Sequence, residues 1–427
     1  MISKKAKINL KGIWKTLVNN RQYLIPESIE DFKKLGPIPD FQLGSYSVYA
    51  KPSAKRSLEE FTELLREELN PNIYSYATIY AAVREEVVGY FSANIDKLFD
   101  CHIERIVNSI KAKAHQHQHI WQICGLKLHE IEQIKHGSWQ IVSFTKSMAE
   151  ELAKKDAGNQ RWQKHLENFL NKYYADRTCI IVEAYGDHEC SKKNSETVAR
   201  YVVDTLRYFI CIHAREGGLS RQIGISLLTP CHQHIGNFSI NVDTAESLIG
   251  YGFDRYRYEY TLTSENLRII KESHYADLIW GLIEKSKITD LEGSIMSAIT
   301  WLGDAQQDNS ELNAYIKYWI ALESMVTGHM QEALIARLKT TLPVLIGVVS
   351  ETIPSKSDVE HAYELRCEIV HGRSRPIPKA KQVNQVAVWT HQCIASCIHL
   401  LTLGYTSREQ VEKESRRITQ KSTSYGS

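Results

Sequence analysis

Several signatures that announce a function are missing from this chain. Its 427 residues contain no Walker-type glycine loop, no paired Cys-x-x-Cys frame and no nucleophile elbow, so nothing supports P-loop nucleotide hydrolysis, a zinc-finger fold or serine-hydrolase chemistry. No apolar run approaches the length that spans a bilayer, which excludes a transmembrane helix as the organising element. The net charge of +2 is too small for a whole-protein field to attract a polyanion, so a nucleic-acid role must come from local patches. The nine cysteines are odd in number and follow no repeating frame, which argues for reduced thiols rather than a disulfide scaffold. The opening MISKKAKINLKGIWKTLVNN has lysines but no continuous apolar core before a small-residue cleavage site, so a cytoplasmic protein without membrane contact is expected. There is no internal repeat and no low-complexity tract.

With 43% hydrophobic and 24% charged residues, the composition is that of an ordinary globular protein with room for two or three domains. The first 55 residues hold a Gly- and Pro-bearing stretch, LGPIPDFQLGS, and read as an irregular or strand-containing lead-in. SLEEFTELLREEL and YATIYAAVREEVVGYFSANIDKLF then carry apolar residues at three- and four-residue spacing, predicting two or three amphipathic helices to about Lys113, interrupted at Asn70 and Pro71. Beyond Trp121 the pattern changes. Leu126 to Ile134 and Trp139 to Phe144 flank His136-Gly137-Ser138 and read as a β-hairpin. Arg177 to Ala184 is a β-branched strand candidate and Ser195 to His213 is helical. Gln222 to Leu228, Phe238 to Val242 and Leu248 to Thr263 are further strands. From Leu291 the periodicity is helical throughout, giving about five helices in an antiparallel bundle. The expected fold is therefore α+β: a mostly helical region over 1–120, an α+β domain over 121–288 and an all-α bundle over 289–427.

The most informative segment is YELRCEIVHG, Tyr363 to Gly372. Arg366 and His371 stand five residues apart at the end of a helical segment, offering a fixed cation that holds phosphate by paired donors and an imidazole that changes protonation near neutral pH. Gly372 suits the left-handed residue that ends many helices, and Pro376 and Pro378 keep the helix from resuming. The competing reading is an arginine paired with Glu364 or Glu368 and a histidine that only caps a helix.

Arg366, four intervening residues and His371, preceded by the helix YWIALESMV (Tyr318 to Val326), resemble the HEPN superfamily and most closely its Apea-like branch. The combination is an "ALE" helix, a long connection, a "Y-x-x-R" helix and a terminal "VHG", over about Thr289 to Leu403. Cys367 departs from the polar residue that many HEPN nucleases carry directly after the arginine. The resemblance implies metal-independent, cofactor-free RNA cleavage in which the ribose 2′-hydroxyl attacks the adjacent phosphorus and the 5′-oxygen leaves. His371 would move protons and Arg366 would stabilise charge on the phosphate. It also implies a homodimer that lines one cleft with two Arg-His pairs, and a role as an effector in prokaryotic antiviral defence or as a growth-arresting toxin. The amino-terminal part would then sense a trigger ligand or protein, or hold the nuclease in check. The alternative is a non-catalytic bundle that dimerises and binds RNA or a partner.

Other residues attach to this reading. Arg373, Arg375, Lys379 and Lys381 concentrate four cations without an acid beside His371, as a phosphate-binding loop or as a solvated one. Glu323 can orient Arg366 or merely stabilise the bundle, and Tyr363 shares the helical face of Arg366 as a support or, more simply, as packing. His115, His117 and His119 have strand-like spacing, and Asp187-His188-Glu189-Cys190 with Cys231-His232-Gln233-His234 could add zinc ligands; without a doubled Cys-x-x-Cys frame no metal site is assigned. In YGFDRYRYEYTL, Tyr256, Tyr258 and Tyr260 alternate with Arg255 and Arg257, either to stack on single-stranded RNA or to pack a strand on the core.

Overall fold

The computed structural model describes residues 2–18, 23–24, 41–43, 46–50, 52–93, 99–214, 223–225, 233–241, 243–244, 247–254, 259–308, 310–326, 334–372 and 377–424. In chain order the elements begin α1 (Lys4–Leu17), β1 (Tyr23–Leu24), β2 (Phe41–Leu43), β3 (Tyr46–Ala50), α2 (Pro52–Glu68), α3 (Tyr76–Ala93) and α4 (Phe99–Lys111). Next come β4 (His115–Cys124), β5 (Leu126–His129), β6 (Gln133–His136), β7 (Trp139–Phe144), α5 (Lys146–Lys155), α6 (Gln160–Tyr173), β8 (Arg177–Gly186) and α7 (His188–Ala214). They are followed by β9 (Gly224–Ile225), β10 (Gln233–Asn241), β11 (Ser247–Asp254), β12 (Tyr260–Thr263), α8 (Ser264–His274) and α9 (Ala276–Ile283). The chain closes with α10 (Asp290–Gln307), α11 (Glu311–Val326), α12 (Leu334–Val349), α13 (Lys356–His371), α14 (Ala380–Thr402) and α15 (Arg408–Ser424). The fold is mixed α+β.

The chain forms two compact units, each drawn from separated stretches: Met1–His119 with Glu183–Ser195 and Ser239–Ser247, and Ile120–Val182 with Glu196–Phe238 and Leu248–Ser427. In the first, the lead-in expected to be irregular or strand-containing starts with α1 and goes on to the short strands β1, β2 and β3. Ser3 caps it by accepting from the Ala6 amide, and Ala6, Leu10, Trp14 and Leu17 recur at the spacing of one helical face and are buried. That face packs with Phe61, Leu65, Val83, Ile103 and Ile106 in one apolar cluster. The Asn70–Pro71 break lies between α2 and α3, as the sequence indicates.

In the second unit the expected hairpin is shorter than its apolar run. β6 and β7 pair antiparallel around a two-residue turn in which Gly137 takes φ +47°, and β7 continues antiparallel onto β8. Leu126–His129 belongs elsewhere, pairing in parallel with Tyr260–Thr263; period-two alternation sets which face a strand buries but not its partner. Similarly, Leu248–Thr263 divides into β11 and β12. From Asp290 onward the described residues hold helices and their connections alone. The charged tail forms α15, which buries Val411 and Ser415.

A buried ion pair fixes α7 beside α10. Asp204 and Arg207, 1% and 2% exposed, pair within α7, and Arg207 Nη1 donates to the Gly303 carbonyl at 2.9 Å. A methyl group at Gly303 would lie 2.6 Å from Asp204 Oδ1. Gly303→Ala should therefore destabilise the protein by about 1–3 kcal/mol, the usual cost of overpacking, seen as a lower urea midpoint; an unchanged midpoint would contradict this packing.

Candidate functional site

Arg366 lies inside α13 and His371 is its last residue. Ser355 and Asp358 start this helix with a reciprocal capping box, and Gly372 ends it in the left-handed region at φ 64°, its amide bonded to the Glu368 carbonyl. A side chain other than glycine would be strained there. His371 is exposed. By helix geometry it lies about 7.5 Å along the axis from Arg366 and about 140° around it.

Three contacts from α11 hold α13, at positions four residues apart. Tyr315 Oη donates to the Ala362 carbonyl at 2.6 Å. Trp319, wholly buried, meets the Tyr363 ring edge-on at 5.5 Å. Glu323 sits 3.2 Å from Arg366 Nη2 through Oε1 and accepts from the same nitrogen at 3.3 Å through Oε2. Arg366 thus pairs across helices with Glu323, not with Glu364 or Glu368, which are exposed. The sequence offered Glu323 as the orienting carboxylate; Tyr315 and Trp319 went unnoticed, although the spacing 315, 319, 323 was visible in ELNAYIKYWIALESMV.

The electrostatics of this pair are unbalanced. Burial raises the Glu323 carboxyl above its ordinary range, more than the adjacent guanidinium lowers it. Arg366 engages Glu323 through one terminal nitrogen, and its Nε is buried without a hydrogen-bond partner. The guanidinium carbon lies 5.6 Å from the Tyr363 ring centroid. Burial, then Cys367 and Glu323, push the Tyr363 hydroxyl up to about 12, so it stays protonated at neutral pH. Tyr363 therefore serves as packing against Trp319 and as a floor for Arg366. Cys367 is a half-buried free thiol.

The cationic loop is placed only in part: Lys379 and Lys381 are exposed at the start of α14, whereas Arg373 and Arg375 lie outside the described residues. Tyr260 is 7% exposed and its hydroxyl accepts from Asn266 at 3.0 Å, so it packs into the core; Tyr256, Tyr258, Arg255 and Arg257 are outside the described residues.

The structure does gather histidines. His117 and His119 on β4 and His188 at the start of α7 place their ring centroids 5.8 to 6.0 Å apart. Ser191 gives its hydroxyl hydrogen to the His188 carbonyl, so it accepts from His119 Nε2, 3.1 Å away. His117 Nε2, His119 Nδ1 and His188 Nδ1 are buried without partners. Cys231 and His232 lie outside the described residues, and among those described no group of three or more His, Cys, Asp or Glu could hold a metal ion.

Burial lowers all three imidazole pKa values, His119 to about 3, with His115 and Lys192 adding repulsion and Asp187 and Asp243 opposing it. Imidazoles held neutral in the fold but titrating near 6.5 when unfolded stabilise fully above about pH 6.5 and progressively less below it. The urea midpoint should fall between about pH 7.5 and pH 5, and fall less in His119→Gln, which keeps a donor for Ser191. Equal drops in the two proteins would contradict this role for His119.

A further pair escaped sequence reading: Cys211 Sγ lies 3.4 Å from His391 Nε2, which Gln306 also reaches at 3.2 Å. His391 is half-buried, and desolvation pushes it down to about 4, so it stays neutral and forms no ion pair that would activate the thiol. Comparison with family models, with curated proteins and with solved structures gives no match.

Proposed function

We propose that the carboxy-terminal helices form a HEPN-type, metal-independent endoribonuclease in which Arg366 binds the scissile phosphate and His371 transfers protons. The observation that carries this reading is the half-used guanidinium. Glu323 fixes Arg366 through a single terminal nitrogen while the side chain stays 18% exposed, so the guanidinium keeps donors for an arriving acceptor. A phosphate oxygen is such an acceptor, and a guanidinium stabilises the charge that builds on it as the 2′-hydroxyl attacks. His371, exposed five residues on, can take the hydroxyl proton or return one to the leaving 5′-oxygen. The motif resemblance supplies the reaction type. DNA lacks the attacking hydroxyl, so RNA is the substrate class.

The same reading makes the enzyme a homodimer across α13. Its two functional side chains leave the helix about 140° apart, so one chain does not readily aim both at a single phosphate, whereas a two-fold axis brings a second pair to the cleft. Val359 is the fully buried residue of α13, and the apolar side chains of Val370, Ile377 and Val388 are exposed at 48%, 79% and 52%. Control by the amino-terminal part, and a defensive or growth-arresting role, follow from the resemblance alone.

Arg366→Ala and His371→Ala should each lower RNA cleavage by about 100-fold or more with circular dichroism unchanged; His371→Ala should leave the unfolding midpoint close to wild type, whereas Arg366→Ala, which strands the Glu323 carboxyl, should lower it. Chelator should change nothing. Equal cleavage by wild type and both variants would end the proposal, and RNA binding without any cutting would favour the non-catalytic interaction module. Light scattering should give twice the monomer mass of 49.0 kDa; a fully active monomer at every working concentration would refute the shared cleft.

A further inference from the structure

From Met1 to Pro26 the sequence contains no Asp or Glu, yet α1 carries Lys4, Lys5, Lys7, Lys11 and Lys15 in a chain whose net charge is only +2. At 3.6 residues per turn, Lys4, Lys11 and Lys15 fall within about 40° of one another and span about 16 Å along the axis. All three are exposed. None of the five lysines makes an ion pair among the described residues. Glu68 meets the helix at its start, where its carboxylate accepts from the Ser3 amide at 2.7 Å and the Ser3 hydroxyl at 2.8 Å. The opposite face is spent on the core, with Leu10 and Leu17 wholly buried and Ala6 and Trp14 at 4%.

We propose that this lysine stripe is a docking face for a single-stranded nucleic-acid backbone, a second and non-catalytic RNA contact; its identity as an RNA contact rests on the nuclease reading above. Charge complementarity selects the partner. A row of unpaired cations about 16 Å long matches several consecutive phosphates, spaced about 3.4 Å along a stacked strand. A membrane surface would require a free apolar face beside the lysines. Here that face is in the core and Ile8, 65% exposed, is the large apolar side chain left outside. Lysines reach phosphates as mobile point charges, so the contact would carry affinity and salt dependence without sequence preference.

The test uses the full chain and a fluorescent 2′-O-methyl RNA oligonucleotide, whose capped hydroxyl cannot attack phosphorus, so binding is read without cleavage. Anisotropy titrations across a salt series should show tight, salt-sensitive binding by wild type. In the triple variant Lys4→Gln, Lys11→Gln, Lys15→Gln, the slope of log affinity against log salt should shrink by about 2, at roughly 0.7 per lost single-strand contact. The triple Lys→Arg variant should bind like wild type. Unchanged affinity and slope in the Gln variant would overturn the proposal. So would a wild type that ignores the oligonucleotide but binds phosphatidylserine vesicles, with loss in the Gln variant, which would assign the stripe to a membrane surface. A protein that binds through α1 and cuts no RNA would end the nuclease reading while leaving this contact standing.

Discussion

The site depends on one constraint: α13 is held to α11 by three rungs at residues 315, 319 and 323. Because these positions are four apart, they share one stripe of α11 and reach Ala362, Tyr363 and Arg366 in turn. The contacts differ in kind: a tyrosine hydroxyl on a carbonyl, two aromatic rings edge to face, and a carboxylate on a guanidinium. The first two fix the helix in rotation and height with groups that have no other use. The third can then be incomplete. Arg366 is positioned by what flanks it rather than by saturation of its own donors, and so is left with capacity for a ligand.

An ion pair of this sort adds little stability. Desolvation of Glu323 outweighs the attraction of Arg366, as is usual for buried pairs, whose cost approaches or exceeds their Coulombic gain. Its physical value is orientation in a region where water screens poorly, so that a charge arriving near Arg366 is felt strongly. Asp204 and Arg207 show the contrasting case. Burial raises Asp204 to about 6, but Arg207 is also tied to the Gly303 carbonyl, and Gly303 leaves no space for a further group. Both arginines keep a buried Nε without a partner; they differ in access, since the Arg207 side chain is 3% exposed and that of Arg366 is 18%.

Much of this was legible in the sequence. The helix ending at Gly372, the carboxylate at Glu323 and the helical character from Leu291 onward follow from periodicity and from a glycine whose conformation other residues avoid. What escaped has physical reasons. Helix α1 was masked by its lysines, although Ala6, Leu10, Trp14 and Leu17 carry the helical period. Leu126–His129 has the alternation of a hairpin strand, but its partner, Tyr260–Thr263, is remote in sequence, and pairing across such distances leaves no local trace. The neighbourhood of His117, His119 and His188 likewise exists only once a strand and a helix terminus are folded together. Cys211 and His391 are still farther apart along the chain, and neither lies in a motif.

In the proposed reaction Arg366 and His371 catalyse attack of a ribose 2′-hydroxyl on its own phosphodiester. The most direct measurement is the chemistry of the fragment ends when purified protein is incubated with RNA. Attack by the 2′-hydroxyl should leave 2′,3′-cyclic phosphate on one fragment and 5′-hydroxyl on the other, and RNA that carries 2′-deoxyribose at the cut position should resist. Fragments bearing 5′-phosphate and 3′-hydroxyl, or equal cutting of the deoxy-substituted strand, would show that water attacks instead and would contradict it.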